Sequence, residues 1–321
     1  MWNIPFFPPT ASKEGEAISA LYWTISGLAI FFGAIVLFGA IYLAVKYRAS
    51  NEAARRDDAV ETDMKLELTW TLVPLVLALV IFGWAAKLYA DIYAPREGAY
   101  EVFVIGKQWM WHCQHPNGVR ENNELHLPAG RLIKVTAISQ DVIHAFSIPA
   151  FRVKRDVVPG RYNTMFFTPT QPGKYHLFCT EYCGTKHSEM IGWVYVMPPE
   201  EFEKWLAGGG AAAAPTAMSL EEQGKQVFEG IGGCNTCHMN PMYKAPDLRG
   251  LFGKKVKLAD GSTVVADEAY IRESILNPAA KVVAGYQAAM PAYQGVLSEE
   301  QVVQLIAYIK SLANQKPAGG Q

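Results

Sequence analysis

Two long apolar runs dominate the first third of the chain. Residues 18–45 carry no charged side chain, and neither do residues 68–86. As helices they would measure about 42 Å and about 28 Å, enough for a hydrocarbon core near 30 Å. The first run is apolar on every face, unlike a helix that is half exposed to water. Two membrane-spanning helices are therefore expected, over about 18–45 and 68–90, within an N-terminal unit of residues 1–96. Pro74 has no N–H to give to a helix, so it either occupies the first turns of the second span or bends it locally. From residue 99 the period changes. Short runs rich in β-branched and aromatic residues (100–105, 132–138, 162–168, 174–178 and 191–196) alternate with Gly and Pro, which predicts an antiparallel β-sandwich over residues 97–206. A Gly, Ala and Pro stretch at 207–217 reads as a linker, which as a flexible coil spans roughly 17 Å. Helical spacing returns in residues 218–321. Ser219 with Glu222 and Ser298 with Gln301 have capping-box spacing, and Val302, Leu305, Ile306, Ile309 and Leu312 share one helical face.

Composition narrows the partners. The chain has 321 residues, half of them hydrophobic, and a formal net charge of -1, which suits two or three domains and argues against nucleic acid. The N-terminus lacks the basic start and small-residue cleavage pattern of a secretory signal, so export falls to the apolar runs. Lys46, Arg48, Arg55, Arg56 and Lys65 lie between those runs, whereas only Lys13 precedes them. That asymmetry puts the intervening loop in the cytoplasm, with both termini and both later domains outside. Residues 97–206 carry 11 basic and 11 acidic side chains, and residues 218–321 carry 10 of each. Neither domain can steer a partner from a distance. The linker is expected to replace steering, as a tether giving an effective concentration on the order of millimolar.

The chemistry concentrates in the loop Cys179-Thr-Glu181-Tyr-Cys183-Gly-Thr-Lys-His187-Ser-Glu-Met190, with His144 upstream. Thiolate and thioether are soft ligands that favour copper, and imidazole suits it equally. A single-copper site needs one Cys; the second Cys here allows two thiolates to bridge two metals. A zinc knuckle or a Cys179–Cys183 disulfide is the alternative, but zinc rarely recruits Met and a disulfide explains neither His. This loop, with Asp141-Val-Ile-His144 and Pro159-Gly160-Arg161, resembles subunit II of the haem-copper cytochrome c oxidases over roughly residues 15–205. The resemblance implies a cupredoxin-like sandwich holding a dinuclear copper centre, CuA. By it Cys179 and Cys183 bridge the metals, His144 and His187 are terminal ligands, Met190 is a weak ligand, and Glu181 binds through its backbone carbonyl. The Glu181 carboxylate would also serve a magnesium shared with subunit I. Gly106-Lys-Gln-Trp109-Met-Trp111 is similar to the family's aromatic motif, so Trp109 is implied to be where electrons arrive from cytochrome c, while Trp111 stays in the core. Lys107 stands where the family often has His, and Met110 thins the aromatic cluster. Glu67, in Glu67-Leu-Thr-Trp70-Thr-Leu-Val-Pro74, matches the family's glutamate at the cytoplasmic mouth of a proton path; on physical grounds alone it is an interfacial carboxylate. His112, His115, His126 and His176 have no partner at ligand spacing and read as surface or satisfied side chains. Cys113 is the odd cysteine and reads as a buried, inert thiol.

Cys234-Asn-Thr-Cys237-His238 is a c-type haem attachment sequence, with two thiols for the haem vinyls and an adjacent imidazole for the iron. His238 is the domain's only histidine, so Met290, in Met290-Pro291, is the candidate for the opposite axial position. Met239 and Met242 are too close to His238 to reach the far face, and Met218 precedes the domain. His/Met ligation raises the reduction potential, as a donor-side relay requires. Residues 218–314 resemble a small class I cytochrome c. In that family the last helix crosses the first, which would bring Gly224 and Phe228 to Tyr308.

The expected whole is a multi-domain membrane protein: a two-helix transmembrane hairpin, an all-β cupredoxin-like sandwich and an all-α class I cytochrome c domain. The resemblance implies subunit II of a proton-pumping oxidase in the bacterial cytoplasmic membrane, assembled with subunits I and III. Electrons would come from cytochrome c or a quinol-oxidising complex. They would pass through covalently bound haem c and the copper pair to subunit I. Oxygen reduction belongs to another chain, because neither span carries a His to hold a haem. The alternatives are a copper-containing nitric oxide reductase subunit, against which Glu67 speaks, and a free-standing membrane-tethered electron carrier.

Overall fold

The computed structural model describes residues 8–48, 62–208, 218–239 and 245–315. Arg55, Arg56, Met242 and the linker from residue 209 onward lie outside the described residues. Two helices open the chain, α1 (Lys13–Lys46) and α2 (Met64–Tyr93), and both are long and apolar enough to cross a membrane. Their start points follow from capping: the Ser12 side chain accepts from the Gly15 N–H, and Asp63 accepts from Lys65 and Leu66. Both helices outrun their apolar cores by a turn or more. α2 continues through Pro74.

The sandwich that follows has ten strands: β1 (Tyr100–Lys107), β2 (Met110–Gln114), β3 (Arg120–Asn122), β4 (Glu124–Pro128), β5 (Ile133–Ser139), β6 (His144–Ile148), β7 (Val153–Val157), β8 (Asn163–Phe167), β9 (Gly173–Cys179) and β10 (Ile191–Met197). They form two five-stranded sheets, ordered β3-β2-β1-β5-β8 and β4-β10-β9-β6-β7. The expected antiparallel sandwich needs one correction. β1 pairs parallel with β5, and β4 pairs parallel with β10, so each sheet is mixed. Parallel neighbours require crossover connections, which local alternation does not display. The inward positions, among them Val102, Val104, Trp111, Val135, Phe146 and Leu177, make one continuous core between the sheets. Helix α3 (Pro199–Ala207) closes one end, with Phe202 fully buried.

The membrane hairpin is stitched to this sandwich. Ala11 N–H donates to Ala150 O, the Ser12 hydroxyl to Phe151 O, and Lys13 N–H to Thr168 O. The buried Glu14 carboxylate accepts from Thr168 N–H at 2.8 Å and from the Arg96 guanidinium at 2.6 Å. Arg96 also donates to Asp91 O near the end of α2, so one ion pair ties both membrane helices to the sandwich.

The C-terminal domain contains α4 (Leu220–Glu229), a short hairpin of β11 (Lys255–Lys257) and β12 (Thr263–Val265), α5 (Glu268–Leu276) and α6 (Glu299–Ser311). Both expected capping boxes are formed, at Ser219/Glu222 and Ser298/Gln301. The apolar face of α6 is buried, and α4 crosses it closely: a Cβ on Gly224 would lie 1.9 Å from Gln304 O. Phe228 meets Tyr308 with ring centroids 5.2 Å apart.

The two outer domains touch, which corrects the expectation of a loosely tethered pair. Phe103 on the outward face of β1 is buried with Leu220 and Val303, and Leu220 N–H donates to Pro116 O. Equal charge counts exclude long-range steering. They do not exclude pairing at contact.

Candidate metal centres

β9 ends at Cys179 and β10 begins at Ile191, so Cys179 and the loop after it hold four of the expected ligand side chains and the Glu181 carbonyl at one end of the sandwich. β6 lies beside β9, with Phe146 opposite Cys179, and its first residue is the fully buried His144. The six residues come together. Cys179 Sγ lies 3.7 Å from Cys183 Sγ, 3.9 Å from His144 Nδ1 and 3.2 Å from Glu181 O. Cys183 Sγ lies 3.5 Å from His187 Nδ1 and 3.8 Å from Met190 Sδ. Each thiol therefore has its own imidazole, and the second has the thioether. The Glu181 side chain is exposed.

The electrostatics fit a cation between the sulfurs. Burial opposes ionisation of Cys179, but hydrogen bonding led by His144 outweighs it and brings the thiol down to about 6. Burial and then the neighbouring Cys179 push Cys183 up to about 12. One thiolate forms readily; a second beside it needs positive charge, which bound metal supplies. Two imidazoles, two thiols and a thioether are a soft donor set suited to copper.

The surrounding residues hold this geometry. His144 Nε2 is 2.8 Å from Asp141 Oδ1, which leaves Nδ1 facing the thiols. Asp141 in turn accepts from Gln108 N–H at 2.7 Å, and the Gln108 side-chain amide donates to Cys183 O at 2.8 Å. Sequence reasoning gave no role to Gln108 or Asp141, although an Asp three residues before a ligating His was the available signal. Trp109, the expected point of electron arrival, is half-buried against the loop. At Gly184, where φ is +118°, a Cβ would lie 3.3 Å from its ring. Trp111 is fully buried, edge-on to His144 at 5.9 Å. Glu67 stands apart from all of these. It lies in the first turn of α2, about 39 Å along the helix from Tyr93.

The remaining histidines are satisfied. His115 and His126, both buried, share the carboxylate of Glu121, and His112 meets Asn122. His176 packs against Trp193 with ring centroids 4.1 Å apart. Cys113 is fully buried and reduced, its thiol raised well above the ordinary value by burial and by Glu121.

In the C-terminal domain Cys234 and Cys237 are free thiols on a short turn, and His238 follows. His238 Nδ1 is 2.7 Å from Pro246 O, which fixes the ring and leaves Nε2 for a metal. Met290 lies in the loop before α6. The Tyr293 hydroxyl of that loop donates to Gly232 O, beside Cys234, so the two segments are joined. The two thiols and the held imidazole on this turn fit a bound haem.

Comparison with known proteins agrees with both halves. Residues 115–196 match the family described as cytochrome c oxidase subunit II, periplasmic domain, and residues 221–313 match the cytochrome c family. The cytochrome c oxidase subunit 2 of Alkalihalophilus pseudofirmus is 30% identical over 293 residues, covering 87% of this chain and 82% of that protein. The heme-copper oxidase subunit 2 of Aeropyrum pernix is 36% identical over 179 residues, covering 50% of this chain and 76% of that one. Among solved structures, the periplasmic domain of subunit II of cytochrome oxidase of Bradyrhizobium japonicum is 32% identical and covers 36% of this chain and 95% of its own, with a TM-score of 0.34.

Proposed function

The chain belongs to the cytochrome c oxidase subunit II family, and from that premise we propose that it takes electrons from an external donor into a bacterial terminal oxidase. It is a membrane-anchored electron-transfer subunit with periplasmic domains. The observation that carries the finer reading is the pair of thiols 3.7 Å apart, each with its own imidazole, in one loop. Bound there, a copper pair would supply one-electron redox chemistry, and a haem c on Cys234 and Cys237 would supply a second relay. The reading runs from donor to haem c, then to copper, then to the oxygen-reducing site on subunit I.

The chain's own residues have the following roles in this proposal. Cys179, Cys183, His144, His187, Met190 and the Glu181 carbonyl would hold the copper pair, the thiols and imidazoles as its main donors and the thioether and carbonyl as weak ones. Asp141 holds the His144 ring by the proton on Nε2, and Gln108 braces the loop at Cys183 O. The exposed Glu181 carboxylate is free to reach a magnesium shared with subunit I. His238 and Met290 would supply the protein ligands of the haem iron. Trp109, against the copper loop, is the arrival point for electrons, and Glu67 stands at the cytoplasmic mouth of a proton path. Subunits I and III are the partners.

Metal analysis with electron paramagnetic resonance tests the central claim. The purified chain should hold two coppers sharing one unpaired electron, and Cys183→Ser should leave one copper or none. A wild-type chain with a single copper and an ordinary blue-copper spectrum would overturn it.

A further inference from the structure

Four charged side chains alternate around the contact between the outer domains. From the sandwich come Glu101 on β1 and Lys134 on β5; from the C-terminal domain come Glu268 on α5 and Lys310 on α6. Lys310 Nζ lies 2.6 Å from Glu101 Oε2 and 2.9 Å from Glu268 Oε1. Lys134 Nζ lies 2.8 Å from Glu101 Oε1 and 3.1 Å from Glu268 Oε1. Each cation touches both anions. All four side chains are only 16–24% exposed, so the interactions are less screened than surface pairs.

Each domain contributes one positive and one negative charge. Each half-ring is therefore neutral, consistent with the equal charge counts of the two domains, and it attracts nothing from afar. At contact the halves discriminate: reversing one against the other would set Lys134 against Lys310 and Glu101 against Glu268. The rest of the contact is fitted to the same register. Phe103, Leu220 and Val303 are each under 5% exposed. Arg272 donates to Gly160 O at 2.9 Å. A Cβ on Gly118 would lie 2.0 Å from Met218 O, so the backbones meet there without room for a side chain.

We propose that this ring is an orientation key, which admits the C-terminal domain onto the outward face of β1 and β5 in one register and keeps it docked. The linker then follows the docking and does not enforce it. On the reading above, this fixes where the electron-donating domain sits, a consequence that rests on that reading; the docking itself does not.

A specific protease site inserted after Gly209 in the full-length chain, purified in detergent, tests the key. The readout is co-migration of the two fragments as protein bands on size exclusion at micromolar concentration, with copper and haem content measured separately before cutting. Wild-type fragments should stay together. Glu101→Lys with Lys134→Glu keeps each half-ring neutral but makes both cross-domain pairs repulsive, and the fragments should separate. Adding Glu268→Lys with Lys310→Glu restores all four pairs, and co-migration should return. Separation of the wild-type fragments overturns the docking, and co-migration of the doubly reversed chain overturns the key. Failure of the quadruple variant to regain co-migration does the same, provided that its haem and copper content match wild type. Loss of both metals with normal docking would instead refute the electron-transfer reading.

Discussion

Glu121 is 6% exposed, and both of its oxygens are engaged. Oε1 accepts from the His126 backbone N–H at 2.9 Å and lies 2.8 Å from His115 Nε2, while Oε2 meets His126 Nδ1. Burial resists its ionisation, but the two imidazoles and the amide more than compensate, holding the carboxyl at about 2 against an ordinary 4.5. At 1.36 kcal/mol per pH unit, that depression corresponds to about 3 kcal/mol of stability, shared by the carboxylate and its partners. Because the folded value lies below the unfolded one, this stability is fully present above about pH 4.5 and is lost as the pH falls toward 2. Glu121→Gln should therefore destabilise the sandwich by about 3 kcal/mol at pH 7, and the deficit relative to wild type should shrink steadily below pH 4.5. Urea denaturation followed by tryptophan fluorescence is a suitable assay, since Trp205 stacks on His126 at 4.3 Å. A variant as stable as wild type at pH 7, or a deficit unchanged down to about pH 2.5, would refute the argument.

Met290→Ala should lower the haem c potential and remove the sulfur-to-iron absorption of the oxidised form while the haem stays attached; an unchanged spectrum would assign the axial position to another residue. Gly224→Ala puts a methyl 1.9 Å from Gln304 O and should cost the C-terminal domain about 3 kcal/mol, read as earlier loss of the Soret band in denaturant with the copper signal unaffected. Glu67→Gln removes a carboxylate from the first turn of α2, and oxygen turnover should fall while reduction of copper and haem c stays fast. Normal turnover would leave Glu67 merely interfacial.

The proposed copper ligands were legible because five of the six lie within twelve residues, where spacing alone restricts the chemistry. His144 is 35 residues earlier, and it was identified through the motif around it. Two of the four strands it shares a sheet with, β4 and β7, were not visible: Val153–Val157 reads Val-Lys-Arg-Asp-Val, with three charged residues on a strand that lies at a sheet edge. The parallel pairings were invisible for a different reason, since register between β1 and β5 is decided by burial across the whole sandwich. The docked domain left one trace. β1 is apolar on both faces, with Val102 and Val104 inward and Phe103 and Ile105 outward, although a sandwich strand facing water should alternate. Two covered faces imply a second layer. The charge ring itself could not be foreseen, because Glu101 and Lys310 are 209 residues apart and a net count of zero hides pairs.

The stitching of residues 11–14 to the sandwich bears on how the molecule is made. Ala150 O, Phe151 O and Thr168 N–H find their partners in residues 11–14, at the entry to the first membrane helix, whereas the sandwich itself emerges after the second. This piece of the outer domain is thus translated before the rest of it. A hairpin with only one helix across the bilayer would leave that segment and the sandwich on opposite sides, with Glu14 parted from Thr168 and the backbone groups of Ala150, Phe151, Thr168 and Thr170 without these partners. Closure of the sandwich edge thereby becomes a check on membrane topology, carried out by ordinary hydrogen bonds after insertion is complete.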